Sequence, residues 1–151
     1  MIKPYQSGPH KFGWLLLALL LSTGVHADGI QVDGAWARAV PGRDSANVFM
    51  FITSVQDATL VGASSPAAKA VELRTMTHKG SMMTTHGVES VSLPANKRVD
   101  MTSIHGYHLA LTGLSAPLQA GATVPLTLNV ETAGKQNIKV DVRAEVRPAK
   151  K

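Results

Sequence analysis

The chain has 151 residues, 44% of them hydrophobic, with a formal net charge of +5, which is enough for one domain with a real core. It has no cysteine, which excludes disulfides, a thiol nucleophile and a blue-copper centre, since the last needs a thiolate ligand. Aromatic residues make up 5% and the charges are interspersed without a basic stripe, so a nucleic-acid-binding surface is not expected.

Residues 1–27 read as a secretory signal peptide. Lys3, His10 and Lys11 give a basic start, and Phe12 to Leu21 form an apolar core of h-region length. That run is shorter than the roughly 20 apolar residues that span a bilayer. Val25 and Ala27 suit the positions before a cut, which places the mature start at Asp28. The expectation is an exported protein with one domain over 28–147, a polar tail at 148–151 and no membrane span once the signal is removed.

Beyond the leader the pattern is strand-like. Val48, Met50, Ile52 and Ser54 alternate with Phe49, Phe51 and Thr53, so this strand is apolar on both faces. Further strands are expected from Ala70-Val71-Glu72-Leu73, then over 88–93, 107–111 and 124–130. Ile138, Val140, Val142, Ala144 and Val146 fall on one face of a last strand, with Lys139, Asp141, Arg143 and Glu145 on the other. Breakers at Pro41-Gly42, Ser64-Ser65-Pro66, Lys79-Gly80 and Pro94-Ala95-Asn96 separate these runs. No amphipathic helix of three turns is present. The expected fold class is all-β, an antiparallel sandwich or barrel.

The chemistry concentrates between residues 76 and 108. Beyond the leader, every Met and His except Met50 lies there: Met76, His78, Met82, Met83, His86, Met101, His105 and His108. Thioether and imidazole together suit copper, above all Cu(I). Three imidazoles from this window would instead suit zinc, although methionine is a poor zinc ligand. Methionine also fills core gaps, and that is the simplest reading of Met82 and Met101. No nucleophile elbow or paired-carboxylate site occurs, so no enzyme activity is expected.

Several blocks resemble the PCu(A)C periplasmic copper chaperones. They are Val71-Glu72-Leu73, Val91-Ser92-Leu93-Pro94-Ala95, Gly106-Tyr107-His108-Leu109-Ala110-Leu111, Ala116-Pro117-Leu118 and Gly121-Ala122-Thr123-Val124-Pro125-Leu126. Ala35-Trp36-Ala37-Arg38-Ala39 and Asn47-Val48-Phe49-Met50 fit the family's opening strands. The resemblance implies a cupredoxin-like Greek-key β-barrel that carries Cu(I) in the periplasm. It also implies an envelope partner that gives or accepts copper, such as the cytochrome oxidase assembly machinery.

The family's ligands are a His, ten residues, a Met, twenty-one residues, a His, one residue and a Met. Counted from Val71-Glu72-Leu73, those positions hold Arg74, Thr85, His108 and Ala110, with twenty-two residues before His108. A substitute set is therefore expected from His108, Met83, Met76 and His78, with His86 as competitor. Twenty-one residues separate His86 from His108, so the extra residue could instead precede it. The resulting expectation is reversible Cu(I) carriage and hand-over. The alternative is a metal-free interaction module on the same fold, favoured by Arg74 and Ala110.

Overall fold

The computed structural model describes residues 25–148. Eleven strands follow in order: β1 (Val25–Ala27), β2 (Ile30–Ala39), β3 (Ser45–Ser54), β4 (Ala58–Ser64), β5 (Ala68–Lys79) and β6 (Met82–Gly87). They continue with β7 (Val91–Leu93), β8 (Arg98–Met101), β9 (His108–Leu114), β10 (Thr123–Thr132) and β11 (Asn137–Val146). The all-β expectation holds, and no helix occurs among the described residues. The signal-peptide segment lies outside them except for its last three residues, which form β1 against β2.

All strands belong to one sheet of order β6-β5-β9-β3-β2-β11-β10-β4-β7, with β1 on β2 and β8 on β3. β6 and β7 end the path without pairing with each other, so the sheet folds over as a sandwich rather than closing into a barrel. The pairing is antiparallel except where β11 meets β2 in parallel, at Glu145 with Trp36 and Val146 with Ala37. Local alternation gives a strand its faces but not the direction of its neighbour.

One core fills the fold. Val48, Met50, Ile52, Leu109 and Leu111 meet Leu60, Leu93, Leu126, Leu128 and Val140, all at most 2% exposed. β11 alternates as the sequence predicts: Ile138, Val140, Val142, Ala144 and Val146 are buried and the residues between them exposed. β3 is buried on both faces at its centre. Its second face is covered at Phe49, whose ring lies 4.4 Å from that of Trp36. Met50 and Met101 are direct partners across β3 and β8, and both are fully buried.

Strands β4 and β8, like β1 and β6, are absent from the sequence-based expectation. β4 (ATLVGAS) is rich in small residues and β8 (RVDM) has only four residues, so neither shows a clear period-two run. Register against β10 and β3 makes them strands. β5 also runs further than expected, to Lys79, because it pairs with β6 through a two-residue turn at Gly80-Ser81. Gly80 has φ of +64°, the conformation a tight hairpin needs and glycine tolerates.

Candidate metal site

β5, β6 and β9 build the site. Leu109 and Leu111 point into the core, so alternation turns His108 and Ala110 to the outer face of the sheet. His108 stands directly opposite Arg74, and Ala110 opposite Glu72. Met76 stands opposite Thr85 on β6. Arg74, Met76, Thr85, His108 and Ala110 line one cavity of about 290 Å³ together with Val40, Arg43 and Ile104. Arg74, Thr85, His108 and Ala110 thus converge, although they are spread over 37 positions of the chain. A larger cavity of about 490 Å³ lies between residues 39–44 and 114–118, and neither imidazole nor thioether lines it.

His108 is 3% exposed even though it lies outside the main core. The Phe49 ring packs beside it at 6.1 Å between centroids. Its Nδ1 lies 3.2 Å from the Gly106 carbonyl oxygen. A carbonyl only accepts, so Nδ1 carries the proton and Nε2 keeps its lone pair. Metal-ligating imidazoles have this arrangement: one nitrogen fixed by a backbone carbonyl, the other free to coordinate. Burial pushes the His108 pKa below its usual 6.5. The Gly106 hydrogen bond opposes that shift, and the Arg74 charge adds to it. The ring is therefore neutral at pH 7.

Arg74 is held rather than free. Its Nη1 pairs with Glu72 Oε2 at 3.0 Å, and its Nη2 donates to the Thr85 carbonyl at 3.3 Å. The guanidinium thereby ties β5 to β6 at the cavity. A fixed cation beside His108 disfavours a metal ion there, and the Glu72 carboxylate partly offsets that charge.

The substitute residues do not all meet. Met76 shares the cavity with His108. His78 and Met83 face each other across the hairpin on the same face, but both are exposed. His78 is four residues beyond Arg74, about 13 Å along an extended strand, too far to share one ion with His108. His86 pairs with Thr75 and lies on the opposite face. The register from Lys79–Met82 to Arg74–Gly87 is unbroken, so no bulge re-aims His86. His105 is exposed in the turn before β9.

Two expectations are corrected. Among the described residues no three His, Cys, Asp or Glu side chains group to hold a metal, so the three-imidazole zinc site is not assembled. Met82 is not a core filler but is 70% exposed at the hairpin end, because its turn projects beyond the sandwich. Met101 is the buried filler expected. The tautomer-fixing carbonyl of Gly106 and the Ile104 rim were not visible in the sequence, since both depend on how the 102–107 turn folds back.

The all-β sandwich has the cupredoxin-like fold of PCuAC domains. The copper-bound PCuAC domain of PmoF2 superposes with a TM-score of 0.65 at 22% identity, covering 83% of this chain and 98% of that one. Apo-DR1885 from Deinococcus radiodurans matches with a TM-score of 0.58 at 30% identity, over 99% of this chain and 93% of that one. The Cu(I) form of DR1885 matches at 29% identity and a TM-score of 0.55, over 83% of this chain and 81% of that one.

At the level of sequence, the chain belongs to the LpqE-like family ("Putative lipoprotein LpqE-like"), which matches residues 30–142. It is also 32% identical over 122 residues to "Putative lipoprotein Lxx21020" of Leifsonia xyli subsp. xyli, covering 80% of this chain and 73% of that protein.

Proposed function

We propose that this protein is an exported copper-binding protein that carries Cu(I) without catalysis and passes it to an envelope partner. The observation that carries this reading is His108, a buried, neutral imidazole with Nδ1 fixed by Gly106 and with the Met76 thioether in the same cavity. The set is one imidazole and one thioether, so coordination positions stay open for a partner's ligands. Open positions let a carrier exchange its metal instead of storing it. The Cu(I) form of DR1885, a relative in fold at 29% identity, supports copper as the cargo. It also supports treating this chain as a divergent PCu(A)C-type member that keeps His108 and replaces the other three ligands. Partners would include copper donors or acceptors such as cytochrome oxidase assembly factors.

The leader supports export, and the lipoprotein names of the family and of the Leifsonia relative fit an envelope location. A lipid joined through sulfur has no attachment point within these 151 residues, because none is cysteine. The leader together with the PCu(A)C resemblance supports a periplasmic location.

A second reading has its own observation. The Arg74–Glu72 pair and the Arg74 bond to Thr85 occupy the first ligand position, which favours a metal-free module that docks to a copper-handling protein. Anaerobic Cu(I) titration against a chromophoric chelator, with His108→Ala beside the wild type, decides between them. Tight binding of one equivalent that is lost in His108→Ala, whatever weaker binding remains elsewhere, is the expected result. Failure of the wild type to compete with the chelator would sink the carrier reading in favour of the module.

A further inference from the structure

The β5–β6 hairpin extends past the cavity and leaves soft donors in the open. His78 and Met83 are direct cross-strand partners. Opposed side chains on one sheet face have Cβ atoms about 4.5–5.5 Å apart, close enough for an imidazole nitrogen and a thioether sulfur to meet on one ion. Met83 is 47% exposed and His78 is exposed. Neither belongs to the core cluster, so packing does not account for them. No carboxylate occurs from Leu73 to Val88, which leaves hard cations without ligands there.

Met76 occupies the same face one step inward, opposite Thr85. Alternate residues on a strand are about 6–7 Å apart. His78 with Met83, then Met76, then the Arg74–His108 row form successive steps from solvent to the buried imidazole.

We propose that the hairpin end is a second soft-metal site, separate from the cavity, in which His78 and Met83 take up Cu(I) and pass it by way of Met76 to His108. Each hand-over is a ligand exchange without change of oxidation state: one Cu–S or Cu–N bond forms as another breaks. The proposal takes its cargo from the copper reading, while the site rests on the hairpin geometry alone.

Ag(I), a soft monovalent ion that does not change oxidation state under the assay conditions, is a suitable probe beside Cu(I). The full chain, labelled at methionine methyls, is titrated with Ag(I). The double variant His78→Ala/Met83→Ala and the single variant His108→Ala are titrated in parallel. Both residues of the double variant are exposed, so its folding is expected to match the wild type. The wild type should take up two equivalents, one moving the Met83 methyl signal and one the Met76 signal. The double variant should lose the first, and Cu(I) loading of its cavity from a chelator should slow at least tenfold with the cavity's equilibrium affinity unchanged.

Stoichiometry and loading rate identical to wild type in the double variant would overturn the proposal, even if His108→Ala shows the cavity to be a copper site. Loss of an equivalent with unchanged loading would overturn the relay as well. Conversely, if His108→Ala changes nothing while the double variant loses its only equivalent, the hairpin site stands and the cavity reading falls.

Discussion

Two methionine pairs show how differently one side chain is used in this molecule. Met50 and Met101 face each other across β3 and β8, fully buried in the sandwich. Met82 and Met83 are neighbours in sequence at the end of the β5–β6 hairpin and stand 70% and 47% exposed. In the core the thioether serves as a flexible filler among branched side chains. At the hairpin end it has nothing to fill, and the proposed use of Met83 there is soft-metal ligation. Enrichment of a residue type in a window therefore does not indicate its role; the side of the sheet does.

The largest effect that sharpens this contrast is on the buried pair. Met101→Ala should lower stability by about 2–5 kcal/mol through a cavity that the core cannot close. Chemical denaturation reads this directly, and Cu(I) stoichiometry should stay unchanged. A Met101→Ala protein that keeps full stability would break the distinction.

A smaller but opposite effect is expected at the cavity. Arg74→His removes the fixed cation and restores an imidazole facing His108. It should tighten Cu(I) binding at least tenfold, about 1.4 kcal/mol, as measured by chelator competition. Loss of the exposed Arg74–Glu72 pair should cost little stability. Weaker binding in Arg74→His would show that the Arg74 position does not face the metal.

Acid should act on the cavity through His108. Unfolded His108 takes up a proton near pH 6.5, whereas the folded side chain resists until a lower pH. The unfolded state binds more protons in that interval, so stability is full above pH 6.5, falls as pH drops through it and levels off below the folded value. Urea midpoints between pH 5 and 8 should show that loss in the wild type and a flatter profile in His108→Gln. Copper affinity should fall in the same direction, since Nε2 must be unprotonated to bind. An identical acid limb in both proteins would assign the sensitivity elsewhere.

The smallest effect belongs to the exposed pair. Met82→Ser should change stability by no more than about 0.5 kcal/mol, because the side chain touches no core residue. Thermal denaturation of this variant beside Met101→Ala gives the two ends of the scale within one protein. A large loss from Met82→Ser would place that side chain in a packed environment.

Much of the fold was legible in the sequence. The alternation of β11 and the doubly apolar run of β3 gave correct faces, because period two is a local property of an extended chain. β4 and β8 were not legible, since neither sequence alternates clearly and only pairing with β10 and β3 makes them strands. The site divided in the same way. His108 emerged from its position in the Gly106-Tyr107-His108 block, and Met76 and His78 as members of the Met/His window. Their separation into a cavity residue and an exposed one did not emerge, nor did the placement of His86 on the far face.

The amino-acid sequence by itself determined that the protein is all-β, that it lacks thiol chemistry and that its candidate soft ligands beyond the leader, Met50 apart, lie in one window. Tertiary structure decided which of those ligands meet. That choice depends on the register of β5 against both β6 and β9, and register is set by the turn at Gly80-Ser81 and by the burial of Leu73, Leu109 and Leu111. A slip of one residue would reverse every face, so the core that fixes the register also selects the imidazole that is buried and the ones left in solvent.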